Sequence, residues 1–177
     1  MKSSPNRWGH LVSVVNLPAK LLPMAKPDFR PLIQTRKNIL NILSGYSVEA
    51  LNEIPEGFNN NLAWHLGHLV VTQQLICYKN AGLEMLVPDE WVEQFKKGTK
   101  PESKVSADQI EALKAALVEL PKRTEGDYDK GIFKTYERYE TSFGLVLETP
   151  EGAINFNNVH EGLHLGYIMA QRRFLTL

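Results

Sequence analysis

At 177 residues the chain has the length of one domain, long enough to bury an apolar core without disulfide or metal staples. Its 20 Lys and Arg are matched by 20 Asp and Glu, a balance that excludes the basic stripe a nucleic-acid binder needs. No apolar run approaches the roughly 18 to 20 residues of a membrane span, and Cys77, the single cysteine, excludes an internal disulfide and a thiolate zinc cluster.

These features point to the cytoplasm as the protein's compartment. The N-terminal stretch MKSSPNRWGHLVSVVNLPAKLLPMAKP has a basic start, but Asn16, Pro18 and Lys20 interrupt its apolar part, which makes a poor signal peptide. Prolines at 5, 18, 23 and 27 prevent a long helix. Residues 1–27 are therefore expected to form a loosely ordered extension, with residues 1–23 contributing little and Met24 an alternative start. A domain over 28–177 follows.

From Asp28, Leu32, Ile33, Ile39, Leu40 and Leu43 recur at helical spacing until Ser44-Gly45 stops the helix. A short helical piece, SVEALNEI, ends at Pro55, and the asparagines of PEGFNNN are placed to cap the next helix. That helix, from about Asn60 to Asn80, is apolar around most of its circumference and belongs at the centre. Cys77 lies within it, in LICY, where a buried inert thiol is expected. Asn80-Ala81-Gly82 closes the helix, and PDEWVEQFKKG reads as a short surface helix begun by Pro88. Ser106 and Gln109 form an S-x-x-Q capping box for the following helix, which Pro121 is expected to kink or end. YERYETSFGLVLETPEG, rich in Tyr, Thr and Val, is suited to an extended excursion or loose hairpin. Thr149-Pro150 then opens a last helix reaching about Arg173. Four substantial helices in one domain make an all-α four-helix bundle.

At about 100° per residue, Asn61, His65, His68 and Thr72 fall along one narrow stripe of the central helix. Asn157, His160, His164 and Gln171 form a similar stripe on the last helix, with Tyr167 beside it. Neither stripe carries a Lys or Glu, which a solvated face normally would. Four of the chain's five histidines on two such stripes favour a shared metal or catalytic site over four separate buried histidines.

HEGLH, residues 160–164, also matches the H-E-x-x-H of zinc peptidases, where two His bind the metal and the Glu is general base. The 13 residues after His164 contain no His, Asp or Glu, so the downstream third ligand of that arrangement cannot exist. A third ligand must come from upstream, and His68 or His65 is the available imidazole.

NNLAWHLGHLVVTQQL and HEGLHLGYIMAQRRFL together resemble the DinB-like (DinB/YfiT) metalloenzyme superfamily. The family pattern has a His followed by an aliphatic residue early in the second bundle helix, then H-x-x-x-H-x-G in the last. His68, His160 and His164 match the three histidines and Gly166 the glycine, with the similarity covering about residues 28–177. The resemblance implies a four-helix bundle binding a divalent metal, typically zinc or nickel, through His68, His160 and His164. Better-known relatives are thiol-dependent, bacillithiol S-transferases and mycothiol-dependent maleylpyruvate isomerase among them, so a low-molecular-weight thiol is the implied co-substrate. Glu161 is outside this pattern, which makes the peptidase motif a coincidence.

A metal held by three neutral imidazoles keeps its full charge and activates either a thiol for S-transfer or a water for hydrolysis. His65, Asn61, Asn157 and Tyr167 are candidates for outer hydrogen bonds to the ligands or for contacts with substrate. A hydrolase would need a base, for which Glu161 is the only sequence-adjacent residue. A metal-free binding module would need no convergence of the histidines. The expected partner is a small-molecule substrate, with neither nucleic acid nor membrane, and a homodimer is compatible with the sequence.

Overall fold

The computed structural model describes residues 26–176. The expectations for residues 1–25, including the small contribution of 1–23 and a start at Met24, lie outside the described residues. Six α-helices run Arg30–Leu43 (α1), Val48–Asn52 (α2), Leu62–Gln73 (α3), Asp89–Phe95 (α4), Ala107–Asp129 (α5) and Pro150–Gln171 (α6). Two short strands, Tyr139–Glu140 (β1) and Val146–Leu147 (β2), pair antiparallel before α6, opposite one another as Tyr139 to Leu147 and Glu140 to Val146. The fold is all-α with one small hairpin, as the sequence predicts. Among the described residues no helix is long and apolar enough to cross a membrane.

The helix starts follow their caps. Asn61, Ser106 and Thr149 each accept a backbone N–H three residues on, from Trp64, Gln109 and Gly152, satisfying one orphan donor per helix. The S-x-x-Q box at Ser106 is only half formed, because the Gln109 amide turns away to donate to Gln94 at 2.7 Å. The helix expected from Asn60 to Asn80 is α only as far as Gln73. It continues as a π-turn over Gln74–Tyr78 and a 3-10 turn over Lys79–Ala81, and Gly82 closes it at φ 71°. The Tyr136 hydroxyl donates to the Ile76 carbonyl at 2.8 Å, tying the run toward the hairpin onto the π-turn.

α1 and α3 each pack against both α5 and α6. Leu66, Leu69, Leu113, Leu117, Ile39 and Ile168 meet between them, all fully buried. At the centre lies a charge. Arg36, 1% exposed, sits on the same face of α1 as Leu32, Ile39 and Leu43. Its guanidinium donates to Glu161 of α6 at 2.7 and 3.1 Å and to the Leu69 carbonyl of α3 at 2.9 Å. The Leu117 carbonyl of α5 stands 3.5 Å away. One side chain thus joins all four bundle helices.

This contact bears on Pro121, which does not end α5: the helix continues to Asp129. Proline has no N–H for the carbonyl four residues back, which is that of Leu117. Arg36 approaches that freed acceptor, while buried Leu117, Leu120, Thr124 and Asp127 hold both halves of the helix in the core. The helix expected on the surface, α4, also turns inward. Val92 and Phe95 are buried, and Phe95 lies against the backbone of Gly67 so closely that an added Cβ there would overlap its ring.

Candidate metal centre

The two polar stripes face each other across the α3–α6 contact. From just before the α3 cap and on along the helix, the Asn60 carbonyl accepts from Gln171, His65 meets His164, and His68 meets His160. Rising numbers on one helix match falling numbers on the other, so the helices are antiparallel and the stripes are in register.

His68, His160 and His164 each offer a ring nitrogen within 4.8 Å of the others, and among the described residues no other group of His, Cys, Asp or Glu does so. His68 and His160 approach through Nε2 at 3.3 Å. Two imidazoles on one zinc at 2.0 to 2.1 Å in tetrahedral geometry stand about 3.3 Å apart, so this pair already has the spacing of two ligands. His68 is only 6% exposed. The group could therefore hold a divalent metal.

The tautomer of His68 follows from its neighbours. Its Nδ1–H donates to the Phe95 carbonyl at 2.7 Å, which leaves the Nε2 lone pair facing His160, with the Thr72 hydroxyl at 3.3 Å. Trp64 stacks on the ring at 4.4 Å between centroids and 12° between planes, and its own Nε1–H donates to Thr99 at 2.9 Å. Gly67 lets α4 approach closely enough for the Phe95 carbonyl to reach His68.

Burial pushes every one of these imidazoles toward neutrality. His65 is lowered to about 4, His160 to about 3 and His164 to about 2, with desolvation the main cause and mutual repulsion among the histidines adding to it. Burial also lowers His68, against an opposing pull from the Phe95 carbonyl. A metal ligand must be the neutral imidazole, so the site is in ligating form at neutral pH.

The other candidates are placed differently. His65 Nδ1 lies 2.9 Å from His164 Nδ1, so it touches the group from behind, and its buried Nε2 has no partner. Tyr167 is 47% exposed at the rim, its ring 5.4 Å from His65 and edge-on to Phe58. Asn61 is turned into the chain, accepting from Trp64 N and donating to the Asn52 carbonyl at 2.9 Å. Asn157 shares the stripe but its amide faces Glu161 at 3.5 Å, so it joins the Arg36 cluster instead. Glu161 is fully buried and bonded to Arg36, with no place in the histidine group. Cys77, 2% exposed, has its thiol pushed up to about 12 by burial and is inert, as its sequence setting predicts.

Sequence reasoning missed Arg36, Phe95 and Gly67. Arg36 left a signal, a lone charge at positions 32, 36, 39 and 43 of an otherwise apolar stripe. The Phe95 carbonyl left none, because a backbone contact between separate helices has no residue signature.

A family model for the DinB superfamily matches residues 32–168, which takes in α3, α5 and most of α1 and α6, with all three histidines. Comparison with curated proteins finds no match.

Proposed function

The chain belongs to the DinB superfamily, and from that premise we propose that it is a metal-dependent enzyme that joins a low-molecular-weight thiol, through its sulfur, to an electrophilic small molecule. The observation that carries this reading is the mutual approach of His68, His160 and His164, with the His68 tautomer fixed by the Phe95 carbonyl. The three histidines would hold zinc or nickel, since neutral imidazole suits both.

A divalent ion bound by three neutral ligands supplies uncompensated positive charge, which lowers the pKa of a thiol or a water beside it. The chain's own residues do the rest. Trp64 and Phe95 hold the His68 ring from its face and its Nδ1 edge, and His65 orients His164 through their Nδ1 contact. Arg36 and Glu161 tie α1 to α6 in the core beside the histidines.

S-transfer is favoured over hydrolysis by the position of Glu161. The only sequence-adjacent base is fully buried and engaged by Arg36, so it cannot take a proton from a water at the histidines. The test is consumption of a chromogenic aryl halide by the metal-loaded protein with and without a small thiol. The thiol gives up its proton to solvent, its sulfur forms the new C–S bond, and halide departs with the electron pair of the broken carbon–halogen bond. Thiol-dependent turnover that disappears in His160→Ala supports the proposal. Turnover of an ester at equal rate without thiol would favour a hydrolase.

A further inference from the structure

His68, His160 and His164 line one side of a cavity of about 360 Å³ between α6, the π-turn after α3 and the β-hairpin. A volume of that order suits a small molecule and is too small for a peptide. Leu75, Ile76, Phe156 and Leu163 make much of its wall apolar.

Apart from the histidines, its titratable side chains are Lys79, Lys97 and Tyr139, and no Asp or Glu lines it. Lys79 comes from the 3-10 turn after the π-turn, Lys97 from the loop after α4. Neither has an ion-pair partner among the described residues, whereas Lys96, Lys114 and Lys122 each hold a glutamate three residues away. On a chain with balanced charge, two unpaired cations beside an apolar cavity make a local field of one sign, which concentrates and orients anions. Lysines are point charges that attract any compact anion, and beside an apolar wall a singly charged carboxylate gives up less hydration than a doubly charged phosphate.

We propose that this cavity selects small molecules that carry a carboxylate on an apolar body, with Lys79 and Lys97 taking the carboxylate and the histidine centre taking the reactive end. The proposal rests on the reading of the three histidines as a metal centre for thiols. Both lysines are exposed, and a methionine at either position keeps an apolar stem without the charge, so folding is not at stake in the test.

The probes are 4-(mercaptomethyl)benzoate, its neutral benzamide counterpart and 4-ethylbenzoate, in which a methyl replaces the thiol. Their binding to the metal-loaded full chain is measured by calorimetry, with metal content determined in parallel and the series repeated after chelator treatment. The mercapto-benzoate should bind on the order of tenfold more tightly than the benzamide, since each exposed charge pair is worth up to about fivefold. That preference should fall to within about twofold in Lys79→Met/Lys97→Met, with metal content unchanged. Equal binding of benzoate and benzamide, a preference that survives the double substitution, or no binding of either probe would overturn the proposal. If 4-ethylbenzoate binds as well as the thiol while the lysine-dependent preference persists, the thiol centre fails and the carboxylate site stands.

Discussion

Replacing Glu161 with alanine tests whether this residue belongs to the scaffold or to the chemistry. The substitution removes the carboxylate that accepts from Arg36 at 2.7 and 3.1 Å and leaves a guanidinium 1% exposed. The two backbone carbonyls within its reach carry no countercharge. Removing one partner of a buried ion pair costs about 3 to 5 kcal/mol. For a chain of this length each kcal/mol lowers the melting temperature by about 2 to 4 °C, so the expected drop is roughly 6 to 20 °C. Substituting both members, Arg36→Met with Glu161→Leu, leaves no orphaned charge and should recover most of that loss. Thermal melts of Arg36→Met, Glu161→Leu and the double variant, run as a double-mutant cycle, measure the coupling directly. Metal content of Glu161→Ala, taken well below its melting temperature, should stay close to that of the unsubstituted chain. Loss of metal with an unchanged melting temperature would instead assign Glu161 to the site.

Gly67→Ala should destabilise the fold by about 1 to 3 kcal/mol, since the new methyl must displace the Phe95 ring; it should also weaken metal binding, as the displaced Phe95 carbonyl releases His68, and an unchanged metal affinity would show that this carbonyl does not orient the ligand. Asn61→Ala should cost about 1 kcal/mol through loss of the α3 cap while leaving thiol turnover per bound metal unchanged, which steady-state kinetics beside chemical denaturation would check. Acid should destabilise the metal-free protein in a defined window: the unfolded chain takes up protons below about pH 6.5, whereas His65, His160 and His164 wait until about 4, 3 and 2, so stability falls as pH drops from 6.5. The slope is about 1.4 kcal/mol per pH unit for each histidine that protonates only on unfolding, or up to about 4 for these three; urea titrations at several pH values would measure it, and a flat profile between pH 6.5 and 5 would mean the histidines are already solvated.

Much of the scaffold was legible because local chemistry announces itself. Asn61, Ser106 and Thr149 cap helices in the chain's own sequence order, and angular bookkeeping alone puts His65 and His68 on one stripe and His160 and His164 on another. The facing of those stripes follows from two apolar helices needing each other's surface. What escaped the sequence was long-range. Asn157 has the right angle for the site but turns to Glu161, because a buried carboxylate acceptor outweighs stripe membership. Pro121 is a sound reason to expect a kink or a helix end, and the end does not occur. It lost to the burial of both halves of α5, with an arginine from α1 at the freed carbonyl. The cavity was invisible too, since its walls come from α3, the loop after α4, the hairpin and α6, and only the fold brings them together.

Whether His68, His160 and His164 form one metal centre is read from metal content by elemental analysis after equal exposure to zinc or nickel. The unsubstituted chain should carry about one ion per molecule, His68→Ala, His160→Ala and His164→Ala should each lose most of it, and His65→Ala and Glu161→Ala should keep it. Retention of the metal in His68→Ala together with its loss in Glu161→Ala would contradict the account and return HEGLH to a peptidase-like reading.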